Sequence, residues 1–189
     1  MIRRFEGDRT RYFPQMSDSE DNIAHGFKVV VTTEQVRLPN GVEIVLDIVE
    51  HPGAAAIVPF VSDREVLLIR QYRHATRGFL IEVPAGKIDP GETPDETAGR
   101  ELQEEVGQRA GRLEKLGWIW TSPGFASEKI HLYAAFELTA VDSRPEDDEV
   151  IEVVPTPLED ALEMIWTGEI TDAKSAVALI HAARLVGRL

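Results

Sequence analysis

Apolar and polar positions alternate or cluster along this chain in runs that predict a strand-rich first half and a helical end. From Phe27 the residues FKVVVTTEQVRL and VEIVLDIVEH flank Pro39-Asn40-Gly41, the pattern of a β-hairpin. Ala54 to Phe60 is a continuous apolar run and predicts a buried strand. Asp63-Arg64 predicts a turn, with further strands at Glu65–Tyr72 and Phe79–Val83. Thr93 as N-cap, Pro94 at the first helical position and Glu96 three residues after the cap predict a helix to Val106, ended by Gly107. Two apolar stretches follow, Leu116–Trp120 and Ile130–Leu138, separated by Ser122-Pro123-Gly124. An acidic loop from Arg144 to Glu149 leads into a strand at Val150–Val154. Thr156-Pro157-Leu158-Glu159 repeats the cap signature and predicts a second helix ending at Gly168. Thr171 or Asp172 caps a third that runs towards Val186. Strands, helix, strands, helix, helix is the order of a mixed-sheet α/β or α+β sandwich. Ser17 to Asn22 is polar and reads as a loop or a disordered lead-in.

Composition narrows the classes. With 189 residues, 43% apolar and 28% charged, the chain suits one folded domain with a small appended subdomain. The apolar stretch at Val58–Leu68 is interrupted by Ser62, Asp63, Arg64 and Glu65, so no membrane span is expected. The first residues are basic but lack an apolar signal-peptide core, and a cytoplasmic protein is the expectation. Zero cysteines exclude a disulfide framework, thiolate metal sites and a thiol nucleophile. The formal net charge is −13, which opposes nucleic-acid backbones and anionic membranes. A phosphorylated small molecule remains compatible if a few arginines or bound cations reverse the sign locally.

The candidate chemistry lies between Gly86 and Gln108. Glu101, Glu104 and Glu105 fall at i, i+3 and i+4 and share one helical face. Such carboxylates repel unless water solvates them or cations occupy them, and an all-oxygen donor set suits Mg²⁺ or Mn²⁺ rather than zinc. Ala98, Leu102 and Val106 form an adjoining apolar stripe that packs the helix on the sheet. The five histidines show no metal-ligand spacing.

Gly86, five residues, Glu92, seven residues, then Arg100-Glu101-Leu102-x-Glu104-Glu105-x-Gly107 resembles the Nudix hydrolase signature. Gln108 departs from it, since that position is usually aliphatic. Ile69 to Asp89, IRQYRHATRGFLIEVPAGKID, is similar to the ADP-ribose pyrophosphatase branch, as is Pro123, fifteen positions after Gln108. The resemblance covers the chain from about Phe27 onward.

It implies a Nudix α/β/α sandwich with a mixed sheet (residues 53–189) behind an N-terminal β-rich subdomain (residues 1–52) used in dimerisation. The implied activity is Mg²⁺-dependent hydrolysis of ADP-ribose or a related nucleoside diphosphate sugar, with GDP-mannose as the rival substrate. A non-catalytic nucleotide-sugar sensor would carry a broken box, whereas Glu101, Glu104 and Glu105 are all present. Metal ligands by this resemblance are Glu101, Glu104, Glu105 and the backbone carbonyl of Ala85, supported by Gly86, Glu92 and Arg100. The general base falls in the acidic loop, with Glu149 ahead of Glu146 and Asp147 left open. Arg70, Arg73, Glu82 and Phe125 are the substrate-contact candidates, each with a bland alternative: a surface salt bridge for the arginines, pairing with a sheet arginine for Glu82, core packing for Phe125. Trp118 and Trp120 are expected in the core or at a dimer contact. The hairpin carries apolar residues on both faces, so a homodimer with substrate residues from both chains is expected.

Overall fold

The computed structural model describes residues 30–145 and 149–189. Its centre is strand β3 (Ala54–Ser62), the apolar run of the sequence, whose residues from Ala54 to Phe60 are all buried. A strand buried on both faces carries no alternation, which is why that run is continuously apolar. β4 (Glu65–Arg73) returns from it across a turn at Asp63-Arg64. β9 (Lys129–Phe136) lies parallel to β3 on its other side, and β8 (Arg112–Trp120) forms the edge beyond β9. β11 (Ile151–Pro157) closes the opposite edge against β4, giving the order β11-β4-β3-β9-β8. β5 (Gly78–Glu82) pairs with the end of β4 and β6 (Ala85–Lys87) with the start of β3. Apart from the β3–β9 pair the sheet is antiparallel. Two-residue strands β7 (Gln108–Arg109) and β10 (Thr139–Ala140) make a small separate pair.

Helices cover both faces. Ala55 and Ile57 point to helix α1 (Pro94–Val106), where Ala98, Leu102 and Val106 complete a core with Leu67, Ile69 and Tyr133. Ala56 and Val58 point the other way, to α2 (Leu158–Thr167) and α3 (Ala173–Leu185), through Leu158, Ala161, Leu179 and Ala182. The fold is thus an α/β/α sandwich on a mixed sheet.

The N-terminus of α1 forms as its sequence predicts: Thr93 and Glu96 exchange both bonds of a capping box, and Gly107 ends the helix at φ 66°. Asp172, not Thr171, caps α3. The cap proposed for α2 is corrected. Thr156 is still part of β11, its hydroxyl donates to the carbonyl of Val154, and Pro157 occupies the cap without a side-chain bond. The ladder from Thr156 to Val66 and from Pro157 to Glu65 outcompetes the helical start. Trp118 and Trp120 are corrected as core residues: about half of each is exposed, because they sit on the edge strand β8, packed edge-to-face on each other.

β1 (Val30–Arg37) and β2 (Glu43–Glu50) form the expected hairpin as a sheet of their own. None of its residues is buried. Its end is tied to the β8–β9 loop, where the Val49 amide donates to Phe125 O at 2.7 Å and the Ser127 amide to Val49 O at 2.9 Å. Among the described residues no helix is long and apolar enough to cross a membrane.

Candidate active site

Three elements meet at one edge of α1. The helix turns Glu101 and Glu105 inward beside its apolar stripe, so both carboxylates are almost fully buried. The 85–92 loop passes over them from β6. The segment after β10 approaches from the far side, where the Arg144 amide donates to Glu104 O and the Tyr72 amide to Val150 O.

Gly86 allows this approach. A Cβ at that position would lie inside the Glu101 carboxylate, 2.5 Å from Oε2 and nearer still to Oε1. The Ala85 amide donates to Glu105 Oε2 at 2.8 Å, while Glu105 Oε1 is buried with no partner among the described residues. Arg100 holds the outer side. Its Nε and Nη2 donate to the two oxygens of Glu92 at 2.9 and 3.0 Å, its Nη1 donates to Glu101 at 2.7 Å and Glu104 at 2.8 Å, and Nη2 also reaches Lys87 O. Glu92 further accepts from the Thr97 hydroxyl at 2.8 Å.

These surroundings set the proton affinities. Hydrogen bonds from Arg100, and then from Thr97, hold Glu92 down at about 2, against the opposing effect of burial. Burial pushes Glu101 up to about 7, with the charges of Glu104 and Glu149 adding to it and Arg100 opposing. Burial pushes Glu105 well above the usual carboxylate range, and Glu101 and Glu149 push it further. Glu149 is therefore close enough for its charge to act on both. Glu146 and Asp147 lie outside the described residues.

The donors suit a hard divalent cation. Buried carboxylates short of positive charge, and an orphaned acceptor on Glu105, are what such an ion satisfies. In the arrangement seen, no three such side chains among the described residues converge on one point, because Arg100 lies between Glu101 and Glu104. Glu101, Glu104 and Glu105 are the residues that could hold such an ion. An open groove of about 630 Å³ runs along α1 past Arg100 and Glu104 to Asp142 and Arg144. Its carboxylates outnumber its arginines, so a diphosphate entering it needs cations as well.

The substrate-contact candidates separate. Strand alternation sends Arg73 to the face of Gln71 and Ile69, where Glu105 feels its charge. Its Nε and Nη2 grip the two oxygens of buried Glu82 at 3.1 and 2.8 Å, leaving Nη1 unbonded among the described residues. Arg70 points to the opposite face, stacked 3.8 Å over Phe79 and 3.7 Å from Glu152. Phe125 is exposed rather than core, in the loop tied to β2. Sequence reasoning missed Lys174, which reaches Glu82 at 2.6 Å and Asp172 at 2.9 Å, and Ser175, which donates to Asp172 and accepts from the Val83 amide. A cation in the first turn of a helix opposes the helix dipole, and that was the one available signal.

Comparison with known proteins agrees with this architecture. The chain is 39% identical over 163 residues to an ADP-ribose pyrophosphatase of Bacillus subtilis (strain 168), covering 85% of this chain and 88% of that one. It is 38% identical over 138 residues to a GDP-mannose pyrophosphatase of Cronobacter sakazakii, covering 68% and 72%. A solved structure described as an ADP compounds hydrolase superposes with a TM-score of 0.75 at 28% identity, over 88% of this chain and 92% of its own. The model of the NUDIX domain matches residues 50–176, more than half of the sequence and all of the carboxylate-bearing helix, so the chain belongs to the Nudix family.

Proposed function

We propose that this chain is a Mg²⁺-dependent pyrophosphohydrolase that cleaves the diphosphate of ADP-ribose or a related nucleoside diphosphate sugar. Water adds to one phosphorus, the bridging P–O bond breaks, and a nucleoside monophosphate and a sugar phosphate leave. The observation that carries this reading is the burial of Glu101 and Glu105 against Gly86, with the charge of Glu149 acting on both, an arrangement that raises their proton affinity and that cations would relieve. The relatives supply the substrate class.

Glu101, Glu104, Glu105 and the carbonyl of Ala85 hold the ions. Bound Mg²⁺, with Mn²⁺ as a substitute, supplies Lewis acidity and lowers the pKa of water. Glu92 holds Arg100, and Arg100 holds Glu101 and Glu104 from the outer side. Glu149 accepts the proton of the attacking water. Glu82 fixes Arg73 by Nε and Nη2, which leaves Nη1 to donate to a phosphate oxygen of the substrate. Residues 1–52 form the dimerisation subdomain of a cytoplasmic homodimer. The hairpin, none of whose residues is buried, and the exposed Phe125 beside it support this assignment. A GDP-mannose reading is favoured by the relative of that name.

The test is turnover of ADP-ribose against GDP-mannose at fixed Mg²⁺, with products separated by HPLC. ADP-ribose is expected to give AMP and ribose phosphate. Negligible hydrolysis of both sugars overturns the proposal, and faster GDP-mannose cleavage reassigns the substrate. Glu149→Gln is expected to lower kcat by about 10²–10³-fold with Mn²⁺ binding retained.

A further inference from the structure

Four charged side chains form one bonded group where β4, β5 and α3 meet. Glu82 is 1% exposed, and its Oε2 accepts from both Arg73 Nη2 at 2.8 Å and Lys174 Nζ at 2.6 Å. Lys174 also donates to Asp172 at 2.9 Å. Asp172 caps α3 by accepting from the Ser175 amide, and the Ser175 hydroxyl accepts from the amide of Val83, the residue after Glu82. Two cations and two anions make the group neutral.

Lys174 stands where a cation is disfavoured. It lies in the first turn of α3, at the positive end of the helix dipole, and only 12% of its side chain is exposed. Arg73 is the outward member of the four, with 38% of its side chain exposed against 18% for Asp172. Burial works against the Arg73 cation, but the hydrogen bonds and charge of Glu82, and then the charges of Glu105 and Asp172, more than offset it. Arg73 therefore feels both the anion that Lys174 pairs and a carboxylate of the candidate site. Loss of the Lys174 charge would leave Arg73 alone among the four to answer Glu82 and Asp172. An anionic substrate approaching Arg73 would then meet a net negative group.

We propose that Lys174 is a positioning residue for substrate binding: by pairing with Glu82 and Asp172 it leaves the charge of Arg73 to the diphosphate. The inference rests on the hydrolase reading above, in which Arg73 Nη1 donates to a phosphate oxygen. Lys174 itself touches no substrate. The diphosphate is anionic in the ground state and in the transition state alike, so the effect falls on KM rather than on kcat.

The test compares Lys174→Met, Asp172→Asn and the double variant in steady-state hydrolysis, at saturating Mg²⁺, of whichever of ADP-ribose and GDP-mannose the wild type cleaves faster. Urea denaturation of each protein runs beside it. Asparagine keeps the helix cap. K174M gives the group a net negative charge, D172N a net positive one, and the double variant is neutral again. K174M is expected to raise KM about tenfold with kcat within about threefold of wild type. D172N is expected to lower KM about threefold. The double variant is expected to recover KM to within about threefold of wild type, although it has lost both members of the Lys174–Asp172 pair. A purely structural tie would be weakened further by the second loss. An unchanged KM in K174M overturns the proposal, as does a double variant whose KM is no better than that of K174M. Should K174M fail to fold, D172N decides: a KM below wild type supports the proposal, and a KM at or above it overturns it. A wild-type protein that cleaves neither sugar overturns the hydrolase reading itself, whereas an active wild type whose KM survives K174M removes only the role of Lys174.

Discussion

Gly86→Ala isolates the dependence of activity on close packing of backbone against carboxylate. The new methyl group would stand 2.5 Å from Glu101 Oε2 and nearer still to Oε1. Ordinary contact is about 3.4 Å, so the carboxylate must move by at least about 1 Å. The obstacle is the far end of a flexible side chain, and Gly86 is not in the left-handed region, so the backbone has no reason to resist. Stability should stay within about 1 kcal/mol of wild type, since alanine also restricts the unfolded chain. Catalysis should not survive as well. A displacement of about 1 Å in a reacting constellation costs on the order of 10²-fold, or about 2.7 kcal/mol in the barrier. Steady-state hydrolysis of ADP-ribose at saturating Mg²⁺, beside urea denaturation of the same preparation, separates the two effects. A kcat within about threefold of wild type would show that Glu101 is not a ligand. A fall in activity matched by a fall in stability would show that Gly86 serves the fold.

Three further outcomes follow from particular contacts. Lys174→Met removes one of the two cations on buried Glu82, and the midpoint of urea denaturation should drop by the equivalent of about 3 kcal/mol. Stability of the metal-free protein should fall between pH 4.5 and 7, because the folded chain holds the Glu101 proton up to about 7 while the unfolded chain releases it near 4.5, and saturating Mg²⁺ should abolish that slope in calorimetric scans. Glu92 acts with the opposite sign: its ion pair is intact above pH 4.5 and is lost as the pH falls towards 2. Leu46→Lys places a charge on the hairpin face that carries Val36, Ile44 and Ile48, and if that hairpin dimerises as proposed, sedimentation should shift from dimer to monomer with unchanged far-UV circular dichroism.

What was readable in the sequence was local and periodic. The capping box at Thr93, the glycine stop at Gly107 and the inward stripe of Ala98, Leu102 and Val106 depend on neighbours within a turn or two, and all three formed. The spacing of Gly86, Glu92 and the carboxylates carried the family for the same reason. What was missed depended on tertiary competition. Thr156 had the chemistry of a cap, but pairing with Val66 kept it in a strand. Of the two places expected for Trp118 and Trp120, core or dimer contact, the core is excluded, and only the strand order shows that β8 is an edge. Lys174 and Glu82 lie 92 positions apart, beyond the reach of any local pattern. The pairing of Arg70 with Arg73 in sequence also hid a separation, since three residues along a strand is an odd number of steps and sends the two guanidinium groups to opposite faces.

The arginines explain why cations rather than protein side chains must answer most of the substrate's charge. Arg100 is the arginine most deeply set among the carboxylates, and its Nε, Nη1 and Nη2 are all committed to Glu92, Glu101, Glu104 and Lys87. Turning it to a phosphate would strip charge compensation from the carboxylates it neutralises. Arg73 is held by Glu82, and Glu82 and Asp172 together balance Arg73 and Lys174, yet Nη1 of Arg73 makes no hydrogen bond among the described residues. One available arginine against a diphosphate and three buried or half-buried carboxylates leaves the balance strongly negative. On the proposed reading, Glu101 and Glu105 would hold divalent ions where that balance is worst, in place of the protons that burial favours there. The same buried acidity that destabilises the metal-free protein near neutral pH would then provide its affinity for metal, and mutations that relieve the first should weaken the second.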